Sequence, residues 1–434
     1  MTALFGFSRH NHMRVFAIAI PMILSNIAAP LLGLVDTAII GHLPQSIYLS
    51  AVALGAMIVS FIYLLAIFLR MTTTGVIAQA FGARDRAAQL QLTNHAIWFA
   101  IGLGIVVIVL SPWLMELAWF LTTPGAELKT FANSYIQIRL YAAPAALINL
   151  VVLGVLLGCQ QSRLAMILVV FTNAVNVAAD LILIVGLDMN VAGAAWASVT
   201  AEVSTAALGL YFLHRVLGYR LQFRLDKQLL FRLMGMNRDV FIRSLVLQLC
   251  LATMTGYATR YGHTVVAANA VLMQFLLLIS LGLDGIAYAI EALVGAAKGQ
   301  GQPRRIRYWC NLTLLWSVLF ACVYSLVFAL FGSQIIGLLT DLPEVIRTAE
   351  AYLPWLIVLP LLAHWSYFYD GIFIGLGLTA AMRNTMLAAA VLVFVPLWWI
   401  GQSYANHGLW LALAGFLTAR GVAQAVWLRI YKPY

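Results

Sequence analysis

The sequence predicts an all-α integral membrane protein of about twelve transmembrane helices, arranged as two pseudo-symmetric six-helix halves. Three observations predict it. Of 434 residues, 63% are hydrophobic and 9% are charged, where a soluble domain carries about 25% charged residues; the mean hydropathy is +0.94. The apolar runs are long enough for bilayer-crossing helices, which need about 20 residues, rather than for barrel strands. Finally, two unrelated stretches recur at one offset. "VIAQAFGARD" (76–85) lines up with "LVGAAKGQGQ" (293–302) and "GVLLG" (154–158) with "GIFIG" (371–375), each pair 217 residues apart.

Taken in order, the spans are predicted at 14–39, 51–75, 91–112, 131–157, 164–186, 191–214, 240–259, 267–294, 307–331, 348–375, 382–401 and 405–428. The shared offset divides them into an N-terminal half (1–214), a basic linker (215–239) and a C-terminal half (240–434). Both halves start on the same side, which makes them parallel repeats, a transporter architecture.

Basic residues set the orientation. Arg9 and Arg14 precede span one, Arg84 and Arg86 lie in the 2–3 loop, and Arg163 in the 4–5 loop. The linker holds Arg215, Arg220, Arg224, Lys227, Arg232 and Arg238. Lys298, Arg304, Arg305 and Arg307 follow in the 8–9 loop, Arg383 in the 10–11 loop, and Arg429 and Lys432 at the C-terminus. The opposite loops hold only Lys129, Arg260 and Arg347. By the positive-inside rule both termini are expected in the cytoplasm. The net charge of +10 follows from that face and calls for no nucleic-acid partner. The N-terminus "MTALFGFSRHNHMRVF" carries no expected cleavable signal peptide. Cys159, Cys250, Cys310 and Cys322 have no metal-like spacing and read as small hydrophobes.

Inside the spans, polar groups stand out because each costs about 2.5–3.5 kcal/mol at a bilayer centre on insertion scales. Span one carries Pro21 and, within the otherwise apolar "GLVDTAIIGH" (33–42), Asp36. Span five carries Asn176 and Asp180, four residues apart and therefore on one helix face. Ser198, Thr200 and Glu202 lie on span six and Arg243 on span seven. Asp284 and Glu291, on span eight, are about two turns apart on one face. Asp370 is on span ten and Arg420 on span twelve; Arg70 and Arg139 also fall in or beside spans. No nucleophile–base set, P-loop, zinc or haem motif occurs, so neither an enzyme nor an ATP-driven pump is expected, and no cofactor is implied.

The stretches "PMILSNIAAPLLGLVDTAIIGHL" (21–43), "TTTGVIAQAFGARD" (72–85), "NAVNVAADLILI" (173–184) and "NVAGAAWAS" (190–198) resemble MATE (multidrug and toxic compound extrusion) transporters. "LQLCLATMTGYATRYGHTVVAANAVL" and "DGIFIG" look most like the DinF-like branch. The resemblance covers the whole chain and implies an ion-coupled antiporter of the bacterial inner membrane. It would work as a monomer, exporting small organic cations or amphiphiles. It also implies that Asp36, Asn176 and Asp180 meet in the N-terminal half, with Ser198 beside them. Two carboxylates in a low-dielectric pocket repel when both are ionised, so one is expected to hold a proton near neutral pH. A sodium ion between two ionised carboxylates is the alternative, and a static hydrogen-bonded pair is the purely structural one. The resemblance further implies that span one bends at Pro21 as Asp36 changes protonation; a fixed kink, or a first-turn proline, would be structural instead. Some branches use a span-seven carboxylate for sodium. Here that span has Arg243 and no acid, which favours proton coupling in the N-terminal half. In the C-terminal half, Asp284, Glu291 and Asp370 fit either ion coupling or buried pairing with Arg243 and Arg420. Glu202 fits either a relay or a structural role. Aromatic residues such as Tyr63 suit organic cations. A flippase for a lipid-linked intermediate, which would line its cavity with arginines, is the second transport reading. A lipid-modifying enzyme is the third, and it lacks clustered catalytic groups.

Overall fold

The structure, a computed structural model, describes residues 8–41, 45–223 and 225–432. His42, the last residue of "GLVDTAIIGH", and Arg224 of the basic linker lie outside the described residues. No strand occurs among those described. Twelve helical stretches follow one another: α1 (Arg9–Gly41), α2 (Ser46–Gly82), α3 (Arg86–Thr122), α4 (Ala126–Tyr141 with Ala143–Gly158), α5 (Ser162–Gly186) and α6 (Asn190–Leu217), then α7 (Lys227–Tyr261), α8 (His263–Gly299), α9 (Pro303–Leu339), α10 (Pro343–Gly375), α11 (Thr379–Tyr404) and α12 (Asn406–Tyr431). Among the described residues, ten helices are long and apolar enough to cross a bilayer, and α4, bent by 52°, makes eleven. The less apolar α6 has 28 residues and is about 42 Å long, enough for a hydrocarbon core of about 30 Å. Large apolar side chains face outward, among them Leu338 (86% exposed) and Phe120 (79%), as a lipid solvent requires.

Span four was expected to be continuous. It breaks at Ala142 because Pro144, at the start of its second segment, has no N–H to continue the ladder. Helix α7 starts at Lys227, inside the stretch expected to be linker. Asp226 caps it, its carboxylate accepting from the N–H groups of Gln228 (2.8 Å) and Leu229 (3.2 Å), which stabilises a helix start by about 1 kcal/mol. In α5 the α-helix ends at Asp180 and a wider π-helical turn runs from Leu181 to Gly186, a local irregularity that often accompanies functional residues.

The described chain divides into two compact units, one of 1–23 with 238–434 and the other of 24–237. In the first, Phe275, Phe328, Leu356, Trp410 and Phe416 centre the core. The start of α1 packs there: the missing side chain of Gly285 makes room for Ile23 and for the Ala19 carbonyl. In the second unit, Ile40, Ala51, Ile136 and Ala195 form a core cluster.

The 217-residue offset reappears in backbone detail. Left-handed residues fall at Arg84 (φ 57°) and Gly301 (φ 64°), and again at Gln160 (φ 58°) and Gly377 (φ 68°). The helix-ending bonds match, Asp85 N to Ala80 O with Gln302 N to Ala297 O, and Gln161 N to Leu156 O with Leu378 N to Phe373 O. These are the six-to-one bonds of Schellman caps. The glycine pairs match as well. A Cβ on Gly154 or Gly158 of α4 would sit 2.7 Å from the Arg70 carbonyl or 2.8 Å from Ile77 of α2. On Gly371 or Gly375 of α10 it would sit 2.9 Å from the Ala287 carbonyl or 3.0 Å from that of Glu291 on α8. Each pair is a small-xxx-small contact that lets two helix backbones approach. Gly158→Val should therefore lower thermal stability in detergent, because overpacking costs about 1–3 kcal/mol. Gly375→Val should do the same in the other unit. Gly235→Ala, with no heavy atom within 4 Å of the added carbon, should not; equal melting of all three would refute the packing account.

Candidate functional site

Four elements of the second unit converge on the carboxyl groups. Asp36 is half-buried on α1, while Asn176 and Asp180 of α5 are each 2% exposed. Asp36 and Asp180 stand beside each other, within interaction range of one another. Asn176 lies between them. In the amide orientation that satisfies both of its ends, its NH2 donates to Asp36 Oδ1 (3.1 Å) and Asp180 Oδ2 (3.3 Å). Its carbonyl then accepts from the Ser198 N–H and hydroxyl, each at 3.2 Å. The structure thus brings Asp36, Asn176, Asp180 and Ser198 together. Asn173, one turn before Asn176, donates to the Ala28 carbonyl of α1 (2.9 Å) and holds α1 against α5 near the acids.

Pro21 is buried on α1, twelve residues inside a helix that starts at Arg9. The first-turn reading is thereby corrected: Pro21 interrupts the helix interior, where it cannot donate to the carbonyl four residues earlier. Pro30 interrupts the same helix again.

Beyond Ser198 the polar groups continue. Tyr135 of α4 lies within interaction range of Ser198 and Arg139. Arg139 Nη1 faces Glu202 Oε1 on α6 across 4.0 Å. Asn149 Nδ2 donates to Glu202 Oε2 (3.0 Å) and to its backbone carbonyl (3.0 Å). The Tyr63 ring of α2 lies 5.9 Å from the Arg139 guanidinium. Sequence reasoning passed over Tyr135, Asn149 and Asn173. Tyr135 and Arg139, four apart on one helix face, were the available signal for the first of them.

In the other unit Asp370 is enclosed by cations. It accepts from Arg243, from Gln424 Nε2 (2.9 Å), and pairs with Arg420 Nη2 at 3.5 Å. All four residues are buried. Glu291 is 2% exposed, whereas Asp284 is half-buried on α8 and within electrostatic range of Tyr367 and Arg420. Asp284, Glu291 and Asp370 all belong to the first unit. Among the described residues no group of three or more His, Cys, Asp or Glu side chains could hold a metal ion.

Long apolar helices repeated at a fixed offset, with ionisable groups gathered inside them, define a multi-pass membrane transporter rather than an enzyme. The chain belongs to the MatE family, whose model matches residues 21–182 and 240–400. It is 40% identical over 443 residues to "DNA damage-inducible protein F" of Escherichia coli K12, across 98% of this chain and 94% of that protein. It is 24% identical to the "Probable multidrug resistance protein NorM" of Thermotoga maritima, across 88% and 82%. Its fold is similar to a crystal structure of MATE in the bent conformation, with a TM-score of 0.87, 20% identity and coverage of 96% of this chain and 94% of that one.

Proposed function

We propose that this chain is a proton-coupled multidrug antiporter, exporting cationic or amphiphilic organic compounds by alternating access across a bacterial inner membrane, with both termini in the cytoplasm. The observation that carries the reading is the Asp36–Asp180 pair bridged by Asn176. A carboxyl pair that shares one proton can gain or lose charge without rebuilding its surroundings, which is what a coupling site needs. The amide NH2 between the carboxylates supports protons over sodium. It supplies donors, and it fills the space in which a cation would need oxygen ligands. The kinship with relatives named for multidrug resistance supports drug-like substrates. The flippase reading is disfavoured because Arg243 and Arg420 are engaged with Asp370 rather than left for an anionic head group.

The test is transport by purified protein in proteoliposomes with one gradient imposed at a time. A proton gradient alone is expected to drive accumulation of an organic cation, and a sodium gradient alone is not. Transport that follows sodium at fixed pH would overturn proton coupling.

A further inference from the structure

Arg139 is placed oddly for a structural cation. Its Nη1, the nitrogen that faces Glu202, is buried with no hydrogen-bond partner among the described residues. Its ion-pair partner, Glu202 Oε1, stands 4.0 Å away, beyond hydrogen-bond length. A settled buried ion pair satisfies its donors, since an unmade hydrogen bond to a buried charge is costly. Asp370, by contrast, takes close contacts from both Arg243 and Gln424. Arg139 is also within electrostatic range of two acids at once, Glu202 on one side and Asp36 on the other. Tyr135 lies within interaction range of both Arg139 and Ser198, and Ser198 bonds to the Asn176 amide between the carboxyl groups.

Glu202 has the complementary character. It is half-buried, with a side chain 20% exposed, and Asn149 fixes only Oε2. The Tyr63 ring, already lying against the guanidinium at 5.9 Å, offers the aromatic face that organic cations use. Glu202 and the Tyr63 ring both face the Arg139 guanidinium; a carboxylate and an aromatic ring facing one cation make a cation site, and here a side chain of the protein occupies it loosely.

We propose that Glu202 with Tyr63 is a binding site for the cationic group of the substrate, and that Arg139 is its built-in competitor, exchanging between Glu202 and the carboxyl pair as that pair loses and gains a proton. The proposal rests on the proton-coupled reading above. The charged and titratable groups around Arg139 are Glu202 on α6, Tyr63 on α2, Tyr135 on α4, and Asp36 with Asp180 beyond them. When the carboxyl pair releases its proton, the added negative charge draws Arg139 toward Tyr135 and Ser198, and Glu202 is open to an organic cation. When a proton returns to the pair, that attraction is lost, Arg139 closes on Glu202, and the cation is displaced. One positive charge enters the unit for each that leaves, so exchange of a proton for a monovalent cation is electroneutral.

The test is equilibrium binding of tetraphenylphosphonium, and of an uncharged amphiphile of similar size, to the purified full-length transporter at acidic and alkaline pH. Wild-type protein is expected to bind tetraphenylphosphonium more tightly at alkaline pH. Glu202→Gln should weaken that binding by on the order of tenfold, about 1.4 kcal/mol, and leave the uncharged ligand unaffected. Glu202→Asp should restore much of it. Arg139→Met should bind as tightly at acidic pH as wild type does at alkaline pH, since the competitor is gone. If Arg139→Met does not fold alone, the double variant with Glu202→Gln removes the charge imbalance, and weak, pH-independent binding is expected of it. Unchanged affinity in Glu202→Gln, or pH dependence that survives removal of Arg139, overturns the exchange while leaving proton coupling standing. Wild-type binding that ignores pH overturns the coupling reading itself, and is seen before any variant is made.

Discussion

Asp36→Asn is expected to leave the transporter in the membrane at wild-type amount and to reduce drug export to that of cells without it. Asparagine keeps the size of the side chain and its hydrogen-bonding capacity, but it cannot take up or release a proton. The energetic reason is the size of the switch. Moving a two-state transporter from one conformation to the other and back takes a differential of about 5.5 kcal/mol between its loaded and unloaded forms. A carboxylate that is charged in one form and neutral in the other supplies several kcal/mol of it in a low-dielectric surrounding, and an amide supplies none. Asp180→Asn should behave alike, because Asn176 bridges the two carboxyl groups into one unit. Asn176→Ala should give partial loss, since it removes the bridge and leaves both acids. Substrate binding should persist in Asp36→Asn, now without pH dependence. Cells expressing Asp36→Asn at full level and keeping full drug resistance would sink the coupling assignment.

Asn176 and Asp180 were legible in the sequence because a helix of 3.6 residues per turn puts residues four apart on one face, and because acids in apolar runs are expensive enough to need a reason. The repeat was legible for a related cause. Gly158 and Gly375 are required by backbone approach, so they recur at one offset even where their neighbours differ. The extension of the site through Tyr135, Arg139 and Glu202 was not legible. Arg139 and Glu202 lie on different helices, and their pairing depends on how α4 packs beside α6 after its bend at Ala142. Pro144 announces a bend, but not its direction. The start of α7 was misread for a different reason. Six basic residues suggested a linker, while Asp226 followed by "KQLL" was a helix start that the charge pattern overshadowed.

In the C-terminal unit, Asp370→Ala is expected to abolish folded protein. The change takes from Arg243 and Arg420 the buried carboxylate that both face, and from Gln424 its acceptor. Removing one partner of a buried ion pair costs about 3–5 kcal/mol, a large share of a domain's total stability of about 5–15 kcal/mol. Asp370→Asn keeps the shape but not the charge, and should lower the melting temperature in detergent while still eluting as a folded species at low temperature. Adding Arg243→Gln to it returns the cluster to its original net charge and should recover part of the loss; the two changes are in contact and should not be additive. Asp284, the other acid in electrostatic range of Arg420, is half-buried and cannot replace a carboxylate that Arg243 and Gln424 both contact. The reading separates cleanly from ion coupling, which needs a group that titrates within a stable protein. If Asp370→Asn melts like wild type and has lost export, Asp370 belongs to the coupling machinery. If it melts early and transports in proportion to the protein that remains folded, the arginine–aspartate cluster holds α7, α10 and α12 together.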